Sequence, residues 1–124
     1  MGKFVVSEGK SGFRFNLKAN NGQVVATSQT YKSFATCMKG IKSVKKNAPI
    51  AAVENQTVED YEPKKNPKWE IYMDKAGEYR FRLRSRNGKI ICSGEGYKQM
   101  GGARNGIESI IKNSPSAEII KDFK

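Results

Sequence analysis

Phe13-Arg14-Phe15-Asn16-Leu17-Lys18-Ala19-Asn20-Asn21-Gly22 and Tyr79-Arg80-Phe81-Arg82-Leu83-Arg84-Ser85-Arg86-Asn87-Gly88 are one pattern written twice in a chain of 124 residues. In each run apolar residues alternate with polar ones, the period-2 signature of a strand that buries one face. Each run ends on Asn-Gly, the strongest short hairpin signal, which predicts a type I′ turn with positive φ at both central residues. A third strand then follows, over residues 23–27 in the first copy and 89–93 in the second.

Outward from this pair, the copies align without a gap at an offset of 66 positions, residues 3–54 against 69–120. Identical pairs run through the whole span, among them Tyr31/Tyr97, Lys32/Lys98, Gly40/Gly106, Ile41/Ile107, Asn47/Asn113 and Pro49/Pro115. Upstream of the quoted runs lie short apolar strands (4–6 and 69–73) and turns (8–12 and 74–77). Downstream the apolar period lengthens to that of a helix: Phe34, Cys37, Met38, Ile41 and Val44, then Met100, Ala103, Ile107, Ile110 and Ile111. Asn47 and Asn113 are expected as left-handed caps, with Pro49 and Pro115 as stop signals. A last β-like piece closes each unit, residues 50–54 and 117–121.

The expected division is therefore 1–54 as first repeat, 55–68 as a linker containing Pro63 and Pro67, and 69–124 as second repeat. A chain of this length buries roughly two-thirds of its unfolded surface, enough for one core and thin for two. The expected fold is α+β: two β-β-β-α-β units sharing one antiparallel sheet, with both helices on one face. The result would be a single pseudo-two-fold domain, and the protein a monomer. Gly40 and Gly106 stand at the same mid-helix position, each costing about 1 kcal/mol against Ala, and predict a close approach of backbone to its neighbours.

The stretch 77–83, followed by Asn87-Gly88, Tyr97-Lys98, Gly106-Ile107 and Asn113, is similar to the YegP-like family of uncharacterised bacterial proteins. The first half carries the same motif as Tyr31-Lys32 and then Gly40-Ile41-Lys42-Ser43-Val44-Lys45-Lys46-Asn47-Ala48. The resemblance covers nearly everything outside the linker. It implies β-β-β-α-β units, as tandem repeats or homodimers, that form one sheet and exchange their final strands. On that implication 50–54 joins the sheet of the second half and 117–121 that of the first. It implies no activity. The family pattern has Lys where Phe34 and Met100 stand, and Gly101-Gly102 departs from a strong helix start.

Composition excludes more than it assigns. The chain has no histidine, which removes the commonest general base and metal ligand, and only two cysteines. Cys37 aligns with Ala103 and Cys92 with Ala26, so both thiols are expected as small buried side chains in a reducing cytoplasm. No apolar run spans a bilayer, the stretch after Met1 lacks the features of a secretory leader, and no membrane association is expected. The only carboxylate position shared by the aligned halves is Glu8/Asp74, in a turn. No enzyme, cofactor or metal is expected.

The duplication also filters motifs. Gly9-Lys10-Ser11 looks like the end of a phosphate loop, but Phe4 stands where that loop needs glycine, and the second copy has Lys75-Ala76-Gly77. Gly94-Glu95-Gly96 suggests a dinucleotide turn, yet Gln99 replaces its third glycine and Ser28-Gln29-Thr30 is its counterpart. Both are expected as plain turns.

A net charge of +11, from 23 basic and 12 acidic residues, favours anionic partners. Period 2 places Arg80, Arg82, Arg84 and Arg86, with Arg14 and Lys18 of the first copy, on the face opposite the aromatic one. Such a row can meet successive phosphates. Glu70, Glu78 or Glu95 on neighbouring strands would neutralise part of it. Tyr72, aligned with Val6, is the only aromatic expected on that face, which argues against sequence-specific readout. Tyr31-Lys32 and Tyr97-Lys98, where strand gives way to helix, form secondary candidates for an anion site. The expected function is a non-enzymatic module that contacts nucleic acid or another polyanion. The alternative is a small structural or accessory protein with a protein partner.

Overall fold

Two copies of the alternating pattern become the two halves of one sheet in the computed structural model, which describes residues 2–123. Met1 and Lys124, the outer ends of the two expected repeats, lie outside the described residues. In chain order the elements are β1 (Lys3–Gly9), β2 (Gly12–Lys18), β3 (Val24–Thr27), α1 (Phe34–Asn47), β4 (Ala52–Asn55), β5 (Lys68–Met73), β6 (Tyr79–Arg84), β7 (Ile90–Ser93), α2 (Met100–Asn113) and β8 (Glu118–Asp122). The sheet has eight strands in the order β4-β5-β6-β7-β3-β2-β1-β8.

The last strand of each unit is exchanged: β4 pairs with β5 of the second half, and β8 with β1 of the first. Both pairings are parallel, so the sheet is mixed rather than antiparallel throughout. The six inner strands follow one another as hairpins or meet at the centre, and all pair antiparallel. Each edge strand arrives from a helix, the long crossover that parallel pairing requires. At the pseudo-two-fold axis β3 and β7 share a single registered pair, Thr27 with Ser93.

Both helices cover one face. Phe4, Val6, Phe15 and Leu17, with Trp69, Ile71, Phe81 and Leu83, are fully buried beneath them. Helix α1 packs on β2 and β7, and α2 on β6 and β3, so each helix straddles the junction of the halves. The expected close approach exists: a Cβ on Gly40 would lie 2.3 Å from Tyr31 Oη, and one on Gly106 2.7 Å from Phe81 Cε2. Burial raises the Cys37 thiol and pushes that of Cys92 up to about 12, as small core side chains would show.

Three local expectations are corrected. The gapless offset fails in the first strand. Phe4 faces Leu17 and Trp69 faces Leu83, so β1 and β5 correspond at an offset of 65. The β1–β2 loop has two residues between Gly9 and Gly12, whereas in the second half Asp74 still bonds to Glu78 across three. Tyr72 therefore matches Ser7, and the Glu8/Asp74 pairing dissolves. Secondly, the Asn-Gly turns are not type I′, because no described non-glycine residue has positive φ. Within these two turns only Gly22 (φ 81°) and Gly88 (φ 84°) are left-handed, closing four-residue turns by donating to the carbonyls of Ala19 and Ser85. The asparagines earn their place through side chains, Asn21 and Asn87 accepting from the amides of Gln23 and Lys89.

Thirdly, Asn47 and Asn113 are the last helical residues and not left-handed caps. Each side-chain amide donates back to the carbonyl one turn earlier, Ser43 and Ser109, while the chain stays right-handed at Ala48 and Ser114. At the other end, Ser33 and Thr36 form a capping box on α1. Gln99 gives α2 no side-chain cap, yet α2 matches α1 in length, so packing rather than capping sets its extent.

Candidate anion-binding site

Arg80, Arg82 and Arg84 stand on β6 where the alternation puts them, opposite the helices, but they are tied down; Arg86, expected on the same face, lies past the end of the strand in the β6–β7 turn and faces α1 instead. Arg80 Nε donates to Asp74 Oδ2 at 2.7 Å. Arg82 and Arg84 converge on one carboxylate, their Nε atoms 2.5 and 2.8 Å from Glu70 Oε1. Arg82 also lies over the Tyr72 ring, 4.4 Å from its centroid, and Arg84 donates to the Gly88 carbonyl. Arg14 is exposed and Lys18 half-buried, neither in an ion pair with a described residue.

The linker expected over 55–68 is shorter, since Asn55 belongs to β4 and Lys68 to β5, and the segment 56–67 between them folds over this part of the sheet as a strap. Glu54 is 2% exposed beneath it. One of its oxygens accepts from the Lys64 amide (2.7 Å) and Lys68 Nζ (2.8 Å), the other from the Gln56 amide (2.6 Å). Gln56 and Lys68 reach Glu70 as well, joining both glutamates, both arginines and the strap in one network. In the first half the structurally equivalent row is Ile120, Val5 and Asn16, in place of Glu54, Glu70 and Arg82.

Burial would raise the Glu54 carboxyl, but the bonds from Lys68, Gln56 and the Lys64 amide outweigh it and hold the group at about 2. Glu70 is buried too, and Arg82 and Arg84 hold it below the usual carboxylate range. An unfolded glutamate titrates near ~4.3, so both groups contribute stability that is complete above that pH. That contribution is lost as pH falls towards about 2. The expected result is a melting temperature that is flat near neutrality and falls below about pH 4, more shallowly in Glu54→Gln. A parallel fall in the two proteins would contradict the network.

Unpaired cations gather elsewhere, in a groove between α1 and the β6–β7 turn. Lys39, Lys42 and Lys46 recur on one side of α1 and face Arg86 across a space of about 350 Å³. All four are exposed, and none is ion-paired with a described residue. No carboxylate lines the groove. The pseudo-symmetric groove, between α2 and the β2–β3 turn, carries Asn105, Glu108, Lys112 and Asn20 at the matching positions. A feature required by the scaffold would appear in both.

Of the residues expected from the sequence to bind anions, only Arg86 enters this groove. Tyr31 and Tyr97 are half-buried and stack on Phe15 and Phe81 at 6.3 and 6.2 Å. Burial raises both phenols. Lys32 and Lys98 are exposed beside them. Gly9-Lys10-Ser11 lies in the β1–β2 turn. A Cβ on Gly94 would meet the buried Phe81 ring at 2.2 Å, so packing accounts for that glycine, whereas one on Gly96 would meet only the Glu78 side chain. Lys39, Lys42 and Lys46 were missed, although the contrast of Lys39 and Lys42 with Asn105 and Glu108 was available in the aligned copies. Among the described residues no helix is long and apolar enough to cross a membrane.

The pattern of a family described as a domain of unknown function (DUF1508) matches residues 10–55 and again 74–120. The chain is 37% identical over 124 residues to the UPF0339 protein YegP of Yersinia pestis, covering 99% of this chain and 96% of that one. A UPF0339 protein of Agrobacterium fabrum is 57% identical over 53 residues, which is 43% of this chain but 86% of its own length. The solution NMR structure of yegP from E. coli, titled a protein of unknown function, superposes with a TM-score of 0.81 at 29% identity, covering 98% of this chain and 93% of that one.

Proposed function

The chain belongs to the DUF1508 family in its two-copy form, and on that premise we propose that it is a non-enzymatic module that binds polyanions through phosphate groups. The premise supplies a scaffold and leaves the chemistry to this chain's own residues. The observation that carries the reading is the charge asymmetry of the two grooves, Lys39, Lys42, Lys46 and Arg86 against Asn105, Glu108, Lys112 and Asn20. The sheet-face arginines are secondary contacts, because a phosphate would have to displace Glu70 or Asp74 from them. The absence of histidine supports a binding role over acid–base chemistry.

Anisotropy titrations of a labelled oligonucleotide across a salt series test this. Four engaged phosphates give a log–log slope near −3 to −4 on duplex and near −3 on a single strand. The triple variant Lys42→Glu/Lys46→Glu/Arg86→Glu is expected to weaken binding by more than about 100-fold. A matched reversal outside the groove, Lys32→Glu/Lys98→Glu/Lys112→Glu, is expected to change it several-fold at most. Equal losses from both sets would reduce the effect to net charge, and absence of binding at low salt would end the proposal.

A further inference from the structure

The cationic groove does not end at Lys39. Past a wall shared by Lys39, Ser43, Ser85 and Asn87 it opens into a second hollow of about 760 Å³. Tyr31, Ile90 and Ile91 add aromatic and aliphatic surface that the first arm lacks, beside neutral groups such as Gln29 and Thr30, while Arg84 and Lys89 keep part of its wall cationic. A space of this size, partly apolar with a few polar groups, has the character of a small-molecule site. No carboxylate lines it. At the equivalent places in the other half, Glu95 and Gly96 replace Gln29 and Thr30, and Gln23 replaces Lys89.

We infer that the two arms together take one nucleotide unit of a single strand, a deepening that rests on the polyanion reading above. The phosphate lies among Lys39, Lys42, Lys46 and Arg86, and the base enters the hollow beside Tyr31 and Ile90. A duplex keeps its bases stacked and paired, so it offers this site phosphates but no base. A single strand can turn a base outward onto an aromatic side chain.

The test compares four probes at one salt concentration: oligothymidylate, an abasic oligomer with the same backbone, a duplex of equal length and heparin. Oligothymidylate is expected to bind at least about tenfold tighter than the abasic strand, in line with the stacking of a single base. The double variant Gln29→Ala/Ile90→Ala is expected to erase that difference while leaving abasic affinity within about twofold. If trimming Ile90 destabilises the variant, chemical-shift mapping on the wild-type protein serves instead. Tyr31, Ile90 and Ile91 should then move with oligothymidylate and stay still with the abasic strand. Equal affinity for all four probes would overturn the nucleotide inference and leave the polyanion reading standing. Tighter binding of the duplex would also overturn it. Failure of every probe to bind would remove both.

Discussion

Glu70→Gln is expected to lower folding stability by about 3 kcal/mol, roughly 10 °C in melting temperature for a chain of this size. Glu70 is a buried acceptor for Arg82 and Arg84 and also takes bonds from Gln56 and Lys68. The neutral amide keeps the shape but leaves three cations crowded around a group that no longer compensates them. Removing one partner of a buried ion pair costs about 3–5 kcal/mol, and the low end applies because both arginines keep access to water. Arg80 and Asp74 make the control. Their pair is more exposed, and Asp74→Asn is expected to change the melting temperature little. The same Glu70→Gln protein should bind oligonucleotide more tightly, since it releases Arg82 and Arg84. Chemical denaturation and the anisotropy titration read these effects separately. A stability loss below about 1 kcal/mol would mean that the network is held by its hydrogen bonds rather than its charge.

Gly12→Ala is expected to cost at least about 3 kcal/mol, from two independent sources. Gly12 has φ of 140°, where side chains other than hydrogen are strained. An added Cβ would also lie 2.1 Å from the Tyr31 carbonyl oxygen, which is backbone and cannot swing aside. That carbonyl accepts from the Phe13 amide in a two-way bridge that fastens β2 to the entry of α1. In the second half, where the hairpin loop is one residue longer, Glu78 occupies the matching place without positive φ. Glu78→Ala is accordingly expected within about 0.5 kcal/mol of wild type. Equal effects at the two positions would show that the hairpins are interchangeable and that loop length does not dictate the glycine.

That one-residue difference also marks the limit of what the sequence could say. Alternation in β2 and β6, the helical stripes and the close approach at Gly40 and Gly106 were legible because each is a local pattern that one face must satisfy. Edge-strand exchange is not local, and only the family resemblance implied it. The gapless alignment set Phe4 against Glu70, although a strand under two helices must place apolar residues at both equivalent core positions. Applied strictly, alternation matches Phe4 and Val6 to Trp69 and Ile71. The arginine row illustrates a different boundary. Period 2 assigned the face of Arg80, Arg82 and Arg84 and failed at Arg86, where the strand has ended, while Glu70 was among the neutralising candidates. Which acid takes which arginine depends on register and on the strap, and neither is written in a periodicity. The groove lysines were readable by subtraction of one helix from the other.

Strand exchange also bears on why two copies share a chain. A unit whose last strand belongs to its neighbour is incomplete alone, and as a separate polypeptide it would be stable only where a second copy is abundant. Covalent linkage through residues 56–67 holds that neighbour at an effective concentration on the order of millimolar, whatever the expression level. It also removes a genetic constraint. In a homodimer every substitution appears twice, so a lysine gained in one groove is gained in both. In this chain each copy mutates alone. One groove carries Lys39, Lys42 and Lys46 where its twin carries Asn105, Glu108 and Lys112, and the glutamates beneath the strap, Glu54 and Glu70, serve one half only. A single chain can hold such an asymmetry within a symmetric scaffold, which a homodimer cannot.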